Sequence, residues 1–248
     1  SPTFRSDLGF ITQNDVKKYE IWHGYYSFPN TQLIKNYRLS AKYDREYNYD
    51  NSLKMSAIQA YFTFLTVYNT NVFYNYEYDF YNSHLMSDFK DYINHYSRLS
   101  SRPFEFMDIQ MSYAWGKDIA YREAIPKLGI RSNLDFKMAV NINNNLRLTP
   151  SINFEKLKKI DSEEYFFDGY IARLDFRYQF NTAFNFRVIS EYNEFSDKFF
   201  VQPLISWRPN PDTIFYFGGN QNYVDEFIDY NSPNYMVNKT QLFLKFQY

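Results

Sequence analysis

The segment T-Q-L-F-L-K-F-Q-Y at Thr240–Tyr248 decides the fold that this sequence predicts. Side chains of a β-strand alternate with a period of two, so the segment has two chemically different faces. The apolar face comprises Thr240, Leu242, Leu244, Phe246 and Tyr248. The opposite face comprises Lys239, Gln241, Lys245 and Gln247, with Phe243 as its apolar exception. One apolar and one solvated face is the pattern of a strand that crosses a bilayer in a β-barrel.

Composition favours the same class of protein. The 248 residues include 26 Tyr, 26 Phe and 3 Trp, yet the mean hydropathy is −0.58. Abundant aromatic residues in a polar chain are typical of a transmembrane barrel, where only alternate residues meet lipid. No run of about 18 apolar residues occurs, so no helix is expected to span a bilayer. A net charge of −1 predicts no general attraction to nucleic acid, and the lack of cysteine excludes disulfides and thiol catalysis.

The period-two pattern recurs along the whole chain. Apolar residues alternate with polar ones at 72–80, 133–142, 172–180 and 184–188, where helical spacing would mix the two kinds on one face. The sequence therefore predicts an all-β, transmembrane, antiparallel up-and-down β-barrel with about 14 strands. The strands are predicted near 4–11, 16–28, 33–44, 53–68, 71–82, 88–97, 102–116, 131–142, 145–157, 164–180, 183–194, 198–208, 213–222 and 238–248.

Connections between these strands alternate between short and long. Short turns are predicted at 29–31, 69–71, 143–145, 181–182 and 209–212, and longer loops at 45–52, 116–130, 158–163 and 223–238. The change of apolar phase around Phe106 and Met107 indicates a bulge or a residue at a strand end. Short periplasmic turns and longer extracellular loops are typical of outer-membrane barrels, with the C-terminus on the periplasmic side.

A sheet in lipid cannot leave its edges unpaired, because each unpaired backbone group costs several kcal/mol. The first strand must therefore pair with the last, or with strands that precede Ser1. No basic-then-apolar signal segment follows Ser1. We expect one barrel over 1–248, from which a signal was cleaved, or the C-terminal part of a longer barrel protein. The alternative fold is a soluble sandwich or lipocalin-like barrel.

The charged residues of the inward-facing rows are the candidate functional residues. They are Glu77, Asp79, Asp135, Lys137, Arg147, Glu155, Arg173, Asp175, Arg177, Arg187 and Glu191. They line a hydrated pore and tune its selectivity, or they pair across strands and fill a narrow barrel. Mixed signs favour pairing, and both interpretations stay open. Lipid is expected to contact Leu242, Leu244, Phe246 and Tyr248.

Other chemistries have weaker support. His84 or His95 could serve a hydrolase together with a serine, of which Ser83, Ser87 and Ser97 are the nearest, but ordinary loop or interface histidines are far more common. Oxygen ligands for calcium occur in two predicted loops, although their spacing matches no EF-hand and solvated loops are the favoured interpretation. These acidic groups comprise Asp44, Glu46 and Asp50 with Asn51, and Asp161, Glu163 and Glu164. No catalytic residue, metal or cofactor is therefore expected.

Several longer motifs carry a more specific likeness. They are F-R-S-D-L-G-F-I at Phe4–Ile11, Trp115-Gly116 followed by P-K-L-G-I at Pro126–Ile130, the run from Tyr178 to Phe195, P-L-I-S-W-R-P-N-P-D-T-I-F-Y-F-G at Pro203–Gly218, and N-K-T-Q-L-F-L-K-F-Q-Y at Asn238–Tyr248. Together they resemble the C-terminal barrel region of a family of unknown function in Gram-negative bacteria. In that family the barrel follows a carbohydrate-binding domain of the family-nine type. The final strand, which ends in an aromatic residue, also resembles the signal that such barrels present to their assembly machinery.

We therefore expect a bacterial outer-membrane barrel of the channel or transport type, which is not an enzyme. The alternative is a structural or docking barrel in a larger cell-envelope complex that binds glycans or proteins through its outer loops. The expected partners are the outer-membrane bilayer with its lipopolysaccharide, the barrel assembly machinery, and an upstream domain or other envelope proteins. No nucleic-acid partner is expected.

Overall fold

The computed structural model describes residues 16–29, 31–84, 87–225 and 235–248, and these residues form one antiparallel sheet. Each strand pairs with its neighbours in the chain, in the order β1 to β13. The strands are β1 (Val16–Ser27), β2 (Ile34–Asn48), β3 (Leu53–Thr66), β4 (Thr70–His84), β5 (Ser87–Phe104), β6 (Met107–Ile119), β7 (Leu128–Asn141), β8 (Leu146–Lys159), β9 (Tyr165–Gln179), β10 (Phe184–Asn193), β11 (Lys198–Asn210), β12 (Thr213–Asp225) and β13 (Tyr235–Gln247).

The all-β class and the up-and-down antiparallel order are confirmed. The predicted first strand near 4–11 lies outside the described residues. Within those residues β1 and β13 do not pair with each other, so the sheet is not closed there. A short 3-10 turn at Glu194–Ser196 joins β10 to β11. Across the described ranges, the structure contains no helix with the length and apolarity needed to span a membrane.

Asparagine side chains build two of the predicted short turns. In the turn at 142–145, the side-chain oxygen of Asn143 accepts hydrogen bonds from the backbone N–H groups of Asn145 and Leu146, each at 2.9 Å. Asn181 repeats this arrangement with Ala183 at 2.9 Å and Phe184 at 2.8 Å. An Asn side chain that caps its own turn reverses the chain without help from other parts of the protein. These turns were therefore readable from local sequence.

Two predicted connections were placed wrongly. Strand β5 continues to Phe104, so the chain reverses at Glu105 and Phe106 and not near residues 97–102. Of the two interpretations of the phase change at Phe106 and Met107, the bulge is wrong and the position at a strand end is confirmed, because the new phase belongs to β6. Strand β2 likewise runs to Asn48, so the first half of the predicted loop at 45–52 is paired backbone.

The chain divides into two compact units. The first unit contains Ser1–Leu99, Ser112–Asn133 and Lys156–Phe167, and the second contains Ser100–Met111, Leu134–Glu155 and Asp168–Tyr248. In the first unit, a small apolar cluster forms from Phe89, Tyr92 and Ile119, with Leu128 packed against it. Most other buried positions of the sheet are small or polar, including Ala57, Asp44 and Asp79 in the first unit. A large hydrophobic interior of the kind that soluble domains have is therefore not part of the described fold.

Candidate functional site

A cluster of ion pairs covers the polar face of β1 and β2 in the first unit. The carboxylate of Asp44 forms one ion pair with Lys42, at 2.7 Å between Oδ2 and Nζ, and a second with Lys18, at 3.5 Å between Oδ1 and Nζ. Lys42 also lies 3.3 Å from Glu20, and Lys18 lies 3.5 Å from Glu46. Register explains the cluster, because it places Glu20 opposite Asp44 and would leave two like charges together without the lysines. We call these five residues the β1–β2 charge cluster.

The polar face continues across β3 and β4. Register aligns Lys42 with Gln59 and then with Glu77, and the Gln59 side-chain amide donates a hydrogen bond of 2.6 Å to Glu77. In the next row Ala57 lies between Asp44 and Asp79. Asp44 is 2 % exposed and Asp79 is 4 % exposed, although both carry ionisable carboxyl groups. Burial of this kind requires compensating partners, which the lysines supply for Asp44.

The opposite face of the same strands is apolar and exposed. Leu39 in β2 is 47 % exposed and Ile58 in β3 is 40 % exposed, although each strand has a hydrogen-bonded neighbour on both sides. Ser40, which directly follows Leu39 and points to the polar face, is buried. The burial pattern is thus the reverse of that in a water-soluble sheet, where the apolar face is covered.

A second network of charges lies on the polar face of β9 and β10 in the second unit. Asp175 accepts two hydrogen bonds from Arg177, at 3.0 and 2.9 Å, and a third from Arg187 at 3.1 Å. Register places Arg177 directly opposite Arg187, so Asp175 offsets the repulsion between two guanidinium groups. A separate pair joins Arg173 to Glu191 at 3.3 Å.

A cavity of about 1300 Å³ lies at the turn end of this polar face. Residues of the turns at 142–145 and 180–183 contribute to its lining, together with side chains of β8 to β12. Its basic lining residues are Arg147, Arg177, Arg187 and Arg208, and Glu105 is the acidic one among the described residues that line it. The cavity therefore has an excess of positive charge. We call these four basic residues the arginine row.

Aromatic rings form a row on the apolar face near the same turns. Register aligns Phe184, Trp207, Phe215 and Phe246 across β10 to β13. The ring centroids of Trp207 and Phe215 are 5.2 Å apart, and those of Phe215 and Phe246 are 4.9 Å apart. Tyr248 stacks on Phe246 at 5.5 Å. An exposed band of rings at one level of a sheet is typical of a membrane–water interface.

The residues predicted to contact lipid lie on this apolar face. Leu242 and Leu244 are each 74 % exposed, and Phe246 and Tyr248 are exposed as well. Strand β13 is an edge strand of the described sheet, so its polar face is also exposed. The difference in exposure between the polar and the apolar face is therefore clearer in strands that have neighbours on both sides, such as β2 and β3.

The structure brings some of the predicted lumen residues together and leaves others apart. Arg147, Arg177 and Arg187 line one cavity, and Asp175 bonds to two of them. Asp135 accepts a hydrogen bond from Asn153, whereas Lys137 is exposed and Glu155 is half-buried. Glu77 and Asp79 belong to the first unit.

Sequence reasoning missed the β1–β2 charge cluster and Arg208. The available signal was alternation, because Lys18 and Glu20 share a face, as do Lys42, Asp44 and Glu46. Asp44 and Glu46 were instead assigned to a loop, and that assignment is wrong because they lie in β2 and face lysines. Arg208 follows the tryptophan of a predicted strand and was overlooked.

The acidic loops satisfy their carboxylates locally. Asp50 accepts hydrogen bonds from the hydroxyl of Ser52 at 2.6 Å and from its backbone N–H at 2.9 Å, and these hold the pKa of Asp50 below its usual value. The ion pair with Lys159 at 2.5 Å lowers the pKa of Glu164 in the same way. Among the residues that the structure describes, no group of three or more acidic or histidine side chains could hold a metal ion.

The two candidate histidines lie in aromatic surroundings. The Nδ1 atom of His95 shares a hydrogen bond of 2.8 Å with the hydroxyl of Tyr74, and the His95 ring stacks on Trp115 at 4.9 Å. His84 meets the ring of Tyr121 edge-on at 4.8 Å. Ser97 donates a hydrogen bond to the backbone oxygen of Tyr113 at 3.4 Å. These contacts fit aromatic packing better than a serine–histidine catalytic pair, which needs the two side chains bonded to each other.

Comparison with known proteins identifies no relative of this chain. No protein-family model, curated protein sequence or solved structure matches the chain. The resemblance to the barrel region of the Gram-negative family therefore stays a prediction. The β1–β2 charge cluster of the first unit and the arginine row of the second are therefore separate candidate sites, each defined by its geometry alone.

Proposed function

We propose that this chain is a β-barrel of the bacterial outer membrane and that its polar face borders a lumen. The observation that carries the proposal is the opposite burial of the two sheet faces. Asp44 is almost fully buried, while Leu39 and Ile58 on neighbouring strands expose their side chains. In water this arrangement would be costly, because each Å² of apolar surface left exposed forgoes about 25 cal/mol of stabilisation by burial. In a bilayer the same apolar face meets hydrocarbon.

Strand length supports the same proposal. Most strands contain 13 to 15 residues, and a tilted strand needs only about 9–11 to cross the hydrocarbon. The excess leaves room for strand ends in the interface, where the row from Phe184 to Phe246 would form one of the two aromatic girdles.

Closure is a necessary part of this proposal. The outer edges of β1 and β13 must be paired in lipid, since each free backbone group would cost several kcal/mol. The two edges pair with each other, or the predicted strand near 4–11 or further strands lie between them. We place the C-terminus in the periplasm and the connection at 120–127 outside the cell.

We further propose that the barrel is of the channel or transport type. Charged side chains that share a polar face, with a cavity of about 1300 Å³ beside them, are suited to the passage of a hydrated solute. The test is conductance in planar lipid bilayers after the full chain has been folded into detergent. Discrete current steps above background support a channel. A folded chain that stays electrically silent over repeated insertions would refute this function.

A structural or docking barrel is the second candidate, and the β1–β2 charge cluster favours it. Lys18 and Lys42 bridge three carboxylates within 3.6 Å, and such pairing fills space that an open pore would leave to water. This candidate predicts a silent barrel that co-purifies with stoichiometric envelope proteins from gently solubilised membranes. A solitary barrel with clear conductance would argue against it.

The membrane assignment has a test of its own. The full chain is expected to need detergent or lipid for solubility, and to show the heat-dependent electrophoretic mobility that folded membrane barrels have. A monomer that stays folded and soluble without detergent would overturn the assignment, whatever the bilayer recordings show.

A further inference from the structure

We infer that the cavity beside the arginine row is a binding site for small solutes that carry phosphate or carboxylate groups. This inference deepens the proposed channel, because it names the class of solute that the polar face of the second unit would admit. The cavity combines a large volume, about 1300 Å³, with guanidinium groups from four adjacent strands. Guanidinium groups bind oxyanions through paired, charge-assisted hydrogen bonds.

The balance of charge within the cavity is the first argument. Arg177 and Arg187 share the carboxylate of Asp175, so a single negative charge is paired with two guanidinium groups. The side chains of Arg147 and Arg208 form no hydrogen bond or ion pair with any residue that the structure describes, and both residues are exposed. These two guanidinium groups are therefore available to an incoming anion, while Glu105 offsets only one of the charges.

An unsatisfied donor is the second argument. The Nε atom of Arg187 is buried and has no hydrogen-bond partner among the described residues. A buried donor without a partner costs about 1–3 kcal/mol, and native proteins rarely leave one unused. The Arg187 side chain is one-third exposed, so a rotation of its guanidinium group toward the cavity would let an oxyanion bind this donor and remove the cost.

The geometry of the strands is the third argument. Register places Arg177 directly opposite Arg187, and the backbone N–H of Arg208 donates to Ala183 at 2.7 Å, which fixes Arg208 beside the turn at 180–183. Leu204 of β11 lies opposite Arg187, so Arg208 stands four residues nearer the turns than the level of Arg177 and Arg187. The row thus runs from that level toward the turn end of the sheet. Rings or rows of arginine at a pore entrance raise the local concentration of anions and lower that of cations.

The test measures binding of inorganic pyrophosphate to the full folded chain in zwitterionic detergent by isothermal titration calorimetry. The double variant Arg147→Gln/Arg208→Gln is expected to bind pyrophosphate at least about tenfold more weakly, because it removes two charge-assisted contacts. The matched control, Lys117→Gln/Arg122→Gln, removes the same charge from the first unit and should leave the affinity unchanged. Absence of pyrophosphate binding by the unmodified chain would overturn the inference, as would equal losses in both variants.

Two further measurements distinguish a lipid headgroup from a free solute as the bound oxyanion, and failure of the binding site from failure of the channel. If the cavity takes a lipid headgroup, added phosphatidylglycerol should weaken pyrophosphate binding at least about tenfold, whereas a site for free solutes should show no competition. Bilayer recordings then test the channel independently. Pyrophosphate binding by a silent barrel would keep the site and reject the channel, while conductance without pyrophosphate binding would do the reverse.

Discussion

Replacement of Ile58 by arginine tests directly which solvent faces the apolar side of the sheet. Ile58 is 40 % exposed and lies between Tyr43 and Tyr78 in register, so the new side chain has space and no ion-pair partner opposite it. The residue is within two positions of the midpoint of β3, which runs from Leu53 to Thr66. In the proposed barrel, with the middle of β3 at the bilayer midplane, a rise of about 3.3 Å per residue and a tilt of about 40° would place Ile58 roughly 4 Å from that midplane.

Its depth sets the magnitude of the effect. Arginine on the lipid face costs about 2–4 kcal/mol at the midplane, which lowers the folding equilibrium constant by about 30- to 700-fold. On a surface exposed to water the same change would alter stability by no more than about 0.5 kcal/mol. The loss of folding free energy on this substitution is therefore expected to be clearly larger if the apolar face meets lipid than if it meets water.

The assay is a guanidinium titration of the chain in phospholipid vesicles, followed by tryptophan fluorescence. The neighbouring change Gln59→Arg is the matched control, because it adds the same side chain to the same strand on the opposite face. There it lies between Lys42 and Glu77, whose opposite charges offset each other. We expect Ile58→Arg to lose about 2–4 kcal/mol and Gln59→Arg to lose much less. Equal stability of the two variants, or a larger loss for Gln59→Arg, would refute the assignment of the apolar face to lipid.

Three further predictions use the same titration. Asp44→Asn should cost about 1–3 kcal/mol, because it leaves two lysines without their shared carboxylate, and an unchanged midpoint would contradict the role of the charge cluster. Gly116→Ala should lower the free energy of unfolding by at least about 2 kcal/mol, because Gly116 has a φ of 124° and an added Cβ would collide with the backbone oxygen of Ile93. An unchanged free energy of unfolding would show that the backbone can relax there. Trp207→Ala should cost about 1 kcal/mol in vesicles and Trp207→Phe clearly less, because the ring contact with its neighbour in β12 is kept; equal losses would argue against the aromatic row.

Local chemistry made much of the fold predictable. The alternation at 172–180 lies within β9 up to Gln179, and Phe180 begins the turn. This pattern also fixes the register, because a one-residue shift would turn every charged side chain to the apolar face. The turns capped by Asn143 and Asn181 were found because the side chain that makes the turn is itself the sequence signal. Such features need no knowledge of the neighbouring strands.

Features that depend on pairing could not be predicted in the same way. The reversal at Glu105 and Phe106 contains neither Gly, Asn nor Pro, and the nearby Pro103 lies inside β5, so the turn-favouring residue does not mark where the chain turns. The pairing of Lys18 with Asp44 depends on the register between β1 and β2, which the intervening connection sets. The arginine row similarly requires four strands to be aligned at once, and a single strand pattern does not contain that information.

The neighbour-to-neighbour order of the strands has a consequence for how the chain folds. Within the residues that the structure describes, each strand from β1 to β13 pairs only with those adjacent in sequence, so each of these pairings closes a loop no longer than one hairpin. Loop-closure entropy is then small for each of these steps, and only the proposed closure of the barrel would join distant parts of the chain. Hairpins can therefore be added one after another, as they would be if the sheet grew from one end during insertion. A whole hairpin could also be gained or lost in evolution without changing the register of the remaining strands.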